Sequence, residues 1–156
     1  MRASRFKISG RLLLAGAVAL VGLTASLTVV GIGPRTTEVV GIGAITIATS
    51  DIKPGSVKFY SYQGASGDKI RFLLSRDETG DVRAAIDACQ RCYTFHKGYT
   101  ASRDGYLICR LCGNRYKLSD KTLGIATCNP VKLPIRKNGD TVQVNSNDLE
   151  HNRSMF

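Results

Sequence analysis

The sequence predicts a mainly β fold: a small β-rich or α+β domain with two Cys-x-x-Cys knuckles, preceded by one N-terminal transmembrane helix. Three observations predict it. From Ser56 onward, short runs rich in Val, Ile, Leu and Tyr alternate with Gly-, Asp- and Asn-containing turns. Two pairs of identical spacing, Cys89/Cys92 and Cys109/Cys112, sit in a chain with five cysteines. An uncharged run of 22 residues, "LLLAGAVALVGLTASLTVVGIG", fills 12–33. With no Trp and 7% aromatic residues, the apolar content is aliphatic, which suits strands better than a large aromatic core.

The 12–33 run is long enough to cross a hydrocarbon layer of ~20 residues' helical length. Its basic flank (Arg2, Arg5, Lys7, Arg11) is wholly N-terminal, so the N-terminus is expected in the cytoplasm and the remaining chain outside. A cleaved signal peptide shares the basic start. Its apolar region usually ends after ~7–15 residues at a small-residue site, whereas this run continues through Ala17-Val18-Ala19 and Thr24-Ala25-Ser26. An uncleaved single-pass anchor over 1–33 is therefore the expectation, and the cysteines are exported in either case. Pro34 ends the run, and 34–55 reads as a juxtamembrane connector with some strand-forming residues. The echo "VVGIG" at 29–33 and 39–43 is too short to be a structural repeat.

The domain proper is expected over 56–146. "SVKFYSY" (56–62) and "KIRFLLS" (69–75) flank the turn "GASGD" and read as a β-hairpin. "RDETGD" (76–81) then turns the chain into "VRAAIDA" (82–88), which delivers Cys89. Near the C-terminus, "VKLPIRK" and "TVQVN" flank "NGD" (138–140), a two-residue hairpin signal. Pro134 inside the penultimate strand places that strand at a sheet edge, because proline cannot donate to a ladder. The tail, 147–156, is expected to give one capped helical turn and a frayed end.

Between Cys92 and Cys109 lie sixteen residues, within the C-x2-C-x15–20-C-x2-C range of a four-thiolate metal site. A Cys-x-x-Cys turn lets two thiolates converge on one ion while backbone N–H groups point at the sulfurs, and Gly113 supplies the left-handed freedom that tightens the second turn. Such a site suits zinc, a single iron or an iron–sulfur cluster. Redox-active thiols and disulfide staples are the alternatives. Disulfides within Cys-x-x-Cys close tiny loops that stabilise little, and an odd fifth cysteine, Cys128, does not fit a complete disulfide set. Cys128 is either an additional ligand or a buried thiol. His96, in a loop, reads as solvated more readily than as a ligand. Tyr93 and Gly113 follow the two pairs, which excludes the Cys-x-x-Cys-His of covalent haem. Arg91, Arg110, Arg115 and Lys117 crowd the knuckles and would offset the charge of a tetrathiolate.

The formal net charge is +10, but without the N-terminal basic cluster the chain carries 18 basic against 12 acidic residues, scattered among one another. That excess does not make a nucleic-acid face. It fits attraction to anionic lipid or an acidic partner. No acid–base pair, nucleophile–His arrangement or phosphate loop is evident, so the chain reads as a carrier or binder and not as an enzyme.

"DACQRC", "KGY", "GYLICRLCGNRYKL" and "CNPVKLPI", with the lead-ins "VKFYSYQ" and "KIRFLLSRDETGDVRAAIDACQRC", resemble the membrane iron–sulfur-containing FtrD-like family over roughly 57–144. The resemblance implies a membrane-tethered, exported-side iron–sulfur or metal-binding protein, associated with iron-uptake systems that pair a permease with periplasmic redox partners. It carries over Cys89, Cys92, Cys109, Cys112 and Cys128 as motif cysteines, completed by Asn129 and Pro130. Ala126-Thr127 stands where small glycines usually precede the last cysteine. The expected function is electron transfer linked to iron uptake or respiration, through iron or an iron–sulfur cluster, with membrane lipid and a permease or redox partner. A structural zinc ribbon and a thiol-redox or metal-handling protein are the alternatives.

Overall fold

The computed structural model describes residues 36–119 and 129–156. The expected anchor at 12–33 and Cys128 both lie outside these residues. Among the described residues, no helix is long and apolar enough to cross a membrane.

Among the described residues, eleven strands and one short α-helix follow in order: β1 (Thr36–Val39), β2 (Ala44–Ala48), β3 (Ser56–Gln63), β4 (Lys69–Arg76), β5 (Val82–Cys89), β6 (Tyr99–Ala101), β7 (Leu107–Cys109), β8 (Arg115–Tyr116), β9 (Pro130–Leu133), β10 (Ile135–Asn138), β11 (Thr141–Asn145) and α1 (Ser146–His151). They form three sheets, with strand orders β1-β3-β4-β5-β9, β10-β11-β2 and β6-β7-β8.

The expected hairpin forms as β3 and β4, paired antiparallel from Ser56↔Arg76 to Gln63↔Lys69. Its turn is closed by the Gly64 N–H donating to the Asp68 carbonyl at 2.8 Å. Period-two alternation then sorts side chains of the central strands between two layers. Even-numbered Tyr60, Tyr62, Ile70, Phe72, Leu74, Ala84 and Ile86 share one core with Ile45, Ile47, Val142, Val144 and Leu149 from β2, β11 and α1. Odd-numbered Phe59, Leu73, Ala85 and Cys89 face the other, which β6, β7, β8 and the residues after them cover with Tyr99, Leu107, Cys109, Tyr116 and Leu118. At ~1.5–3 kcal/mol per fully buried large apolar side chain, the first layer has ample burial. The second has far less, and it contains Cys89 and Cys109.

Residues 36–55, expected as a connector, contribute two strands to the fold. β1 pairs parallel with β3 and β2 antiparallel with β11. In "AITIA" the two isoleucines point inward while Ala44 and Thr46 are exposed, so the segment supplies core and cannot act as a mere tether. Pro134 lies between strands, not inside one. It separates β9, at an edge of the central sheet, from β10, at an edge of the second sheet. The missing N–H is thus spent where the chain changes sheets.

The Asn138 hairpin is offset by one residue from the Asn-Gly reading. Asn138 pairs with Thr141, leaving Gly139 and Asp140 as the loop. Gly139 has φ 54 while Asp140 stays at negative φ, the pattern of a type II′ turn with glycine first. At the C-terminus the Asn145 side chain accepts from the Asn147 N–H at 2.9 Å, capping α1. The end is not frayed: Met155 and Phe156 pack against the first core layer, and the Arg71 guanidinium lies 5.3 Å from the Phe156 ring centroid.

Candidate metal centre

Cys89 is the last residue of β5, where the strand runs out of register with β9. Ala85 pairs with Lys132 and Cys89 with Pro130, so β5 carries extra residues in a bulge. A bulge bends its strand and re-aims the side chains that follow. Beyond it the chain makes a tight turn, with Cys92 N–H donating to the Cys89 carbonyl at 3.1 Å, and enters a 3-10 turn over Tyr93–Phe95. The second knuckle comes from a different layer. Cys109 ends β7 directly opposite Tyr99 of β6. Gly113, at φ 72, then brings its N–H to the Cys109 carbonyl at 2.9 Å.

The two knuckles converge. The sulfurs of Cys89, Cys92 and Cys109 lie within 4.8 Å of one another, and the Cys112 thiol, on the exposed rim, interacts with Cys109. No disulfide joins these four residues. Burial is the largest influence on the Cys89 thiol and pushes its pKa up. The N–H groups of Arg91 and Cys92, the Tyr99 hydroxyl and the Cys92 thiol oppose it and hold the group below the ordinary thiol value. Burial likewise leads at Cys109. Donation from the Cys112 and Leu111 N–H groups does not overcome it, because the Cys112 thiol and the neighbouring Cys89 charge push the same way, and the thiol stays above its ordinary value. Two buried sulfurs, each facing two backbone N–H donors, are what a thiolate–metal centre requires of its surroundings.

Tyr99 and Asp87 complete the site, and sequence reasoning gave neither a role. Tyr99 is fully buried and its hydroxyl reaches the Cys89 sulfur. Its ring meets Tyr116 edge-on at 6.3 Å. Asp87, 4% exposed, accepts the Tyr99 N–H at 2.7 Å and pairs with the Arg71 Nε at 3.3 Å. Burial raises its carboxyl to about 6 against the opposing effects of Tyr99, Arg71 and Arg110. Asp87 therefore ties β5, β4 and β6 together two residues before Cys89. The "KGY" and "DAC" of the sequence were the available signal: a Gly-Tyr beside one knuckle and an acid beside a cysteine.

Gly98 makes that junction possible. It has φ +62, and a Cβ there would stand 2.8 Å from the Asp87 backbone oxygen and 2.7 Å from its Oδ1. Gly98→Ala is expected to destabilise the domain by about 2–4 kcal/mol, combining left-handed strain with overpacking. A clear drop in the denaturant midpoint checks it, and an unchanged midpoint would show that the contact relaxes.

Other expected participants are placed differently. His96 is exposed, at φ 51, with its carbonyl accepting from Arg71 at 3.3 Å. It is not in the group of candidate ligands. Arg115 pairs with Asp104 at 3.2 Å and, like Lys117, lies 4.6 Å from the Tyr106 ring centroid. These two cations are engaged by the β6–β7 hairpin, and Arg91 and Arg110 are exposed on the knuckles. Asn129 and Pro130 lie beside the first knuckle, the Asn129 carbonyl accepting the Gln90 N–H at 3.3 Å.

The fold and donor set define a small all-β domain whose clustered cysteines can hold a metal ion. The chain belongs to the family described as membrane iron-sulfur containing protein FtrD-like, which matches residues 52–156. No curated protein matches. Among solved structures, the quaternary ammonium Rieske monooxygenase CntA, crystallised with an inhibitor, is similar at 16% identity and a TM-score of 0.43, over 69% of this chain and 32% of that one. The chain thus spans about a third of that oxygenase's length.

Proposed function

We propose that this protein is a membrane-held electron carrier on the exported side, with iron bound by Cys89, Cys92, Cys109 and Cys112. The observation that carries the reading is the convergence within 4.8 Å of three sulfurs from two knuckles that follow strands of separate sheets, in a family described as iron–sulfur-containing membrane proteins. Bound iron supplies a one-electron change, taken from a membrane carrier and passed to a metal-uptake or respiratory partner. The chain's own residues hold the thiolates, stabilise them with N–H and O–H donors and keep water from the buried pair. Exposed Cys112 is the exit, and exposed residues of the two knuckles are offered to the partner. Leu111 and Phe95 are 44% and 59% exposed, and with Arg91 and Arg110 they suit a partner with an acidic surface. The apolar 12–33 segment and its basic N-terminal flank support the anchored, outward orientation.

The test uses the full chain purified in detergent without oxygen, with metal analysis and visible spectra before and after reduction. A coloured centre that bleaches reversibly is expected. A colourless protein with stoichiometric zinc would instead make this a structural ribbon, since zinc is redox-inert. Cysteines that alkylate without chelator would favour thiol-redox chemistry.

Tyr99→Phe provides a finer check. It removes the hydroxyl donor from the Cys89 sulfur and leaves the ring packing intact. The midpoint potential should fall, on the order of tens of millivolts, because the donor stabilises the more negative reduced state. An unchanged potential would remove Tyr99 from the set of tuning groups.

A further inference from the structure

The family description implies an iron–sulfur cluster, and the sulfur geometry can be tested against one. In a two-iron cluster each iron carries two bridging sulfides and has room for two protein thiolates; in a four-iron cluster each has room for one. Any three cysteines on a two-iron cluster must therefore straddle both irons. With metal–sulfur bonds of ~2.3 Å, at least one pair then stands roughly 6.5 Å apart, and in a four-iron cluster every pair is about that far. Two thiolates on one tetrahedral ion stand about 3.8 Å apart by the same bond length.

The sulfurs of Cys89, Cys92 and Cys109 are all within 4.8 Å of one another. A triangle that small takes one ion and leaves no space for bridging sulfides. The constraint is stiff where it matters most. Cys89 and Cys109 are each 2% exposed, and their backbones are fixed by pairing with Pro130 on one side and Tyr99 on the other. Separating Cys89 from Cys109 would pull two sheets apart, whereas Cys112 needs only an exposed side chain to move to supply the fourth corner.

We infer that the two knuckles close on a single tetrahedral ion held by Cys89, Cys92, Cys109 and Cys112, and that the site is too small for an iron–sulfur cluster. The inference rests on the proposed metal-binding function and narrows it to a mononuclear centre.

The experiment measures metal and acid-labile sulfide per chain on the full-length protein, purified anaerobically in detergent. It then titrates the demetallated protein with cobalt(II), whose tetrahedral tetrathiolate complex is intensely coloured. One iron or zinc per chain without sulfide, and a cobalt endpoint at one equivalent with the tetrahedral ligand-field bands, is the expected result. Cys112→Ser should still bind one cobalt, at least ten-fold more weakly, with bands moved away from the four-sulfur position. Two or four irons with matching sulfide would overturn the single-ion site while leaving an electron carrier in place. Failure to bind iron, zinc or cobalt at all would overturn this inference and the proposed function together.

Discussion

Replacing Cys89 by serine is expected to abolish metal retention and melt the layer that contains the site. Cys89 is 2% exposed, and a serine there places a hard, protonated hydroxyl where the proposed ion needs a soft anion. Structural thiolate sites in small domains contribute apparent binding energies on the order of 10 kcal/mol, nearly all of it folding energy. The second core layer has only strands of three, three and two residues over it, and cannot replace a term of that size. Metal analysis together with limited proteolysis checks the outcome: loss of metal and rapid cleavage within residues 90–119. A Cys89→Ser protein with full metal content and unchanged resistance would eliminate the knuckles as one centre.

Outside the cysteines, Asp87→Ala should be as damaging as Gly98→Ala. It strands the buried Tyr99 N–H, which costs about 1–3 kcal/mol, and removes the partner of Arg71. Arg71 is 35% exposed at its side chain and recovers water, so the ion-pair loss stays below the ~3–5 kcal/mol of a fully buried pair. A total of about 2–4 kcal/mol follows. Asp87→Asn keeps an acceptor for Tyr99 and replaces an ionised group that burial disfavours, so it should cost less than about 1.5 kcal/mol. The comparison by chemical denaturation is decisive: equal losses in the two variants would mean that the carboxylate charge matters and the Tyr99 hydrogen bond does not.

How much of this was legible depended on range. The β3–β4 hairpin, the strand leading into Cys89 and the turn at Gly139 are written in adjacent residues, by alternation and turn chemistry. The paired thiols were visible for the same reason, since each knuckle is a local four-residue motif and Gly113 marks its turn. What was hidden is non-local. Nothing in "TTEV" announces a parallel partner at Phe59–Tyr62, so 34–55 read as a connector. Arg115 and Lys117 sit near the cysteines in sequence, yet the turn 102–106 presents Asp104 and Tyr106 to them. The roles of Tyr99 and Asp87 depend on β6 crossing the bulged end of β5, which no local pattern specifies. The distinction between a single ion and a cluster depends on distances between layers that spacing along the chain does not fix.

Because Cys89 belongs to the central sheet and Cys109 to the small one, the proposed ion would work as a clasp between two bodies of unequal strength. Remove it and the bodies should part in a set order. Amides of β6–β8 would exchange with solvent through cheap local opening, while those of β4 and β5 remain protected by the first core layer up to global unfolding. On the proposed reading, the metal-free protein is a preformed half-site under a loosened cover, able to receive an ion without refolding the rest.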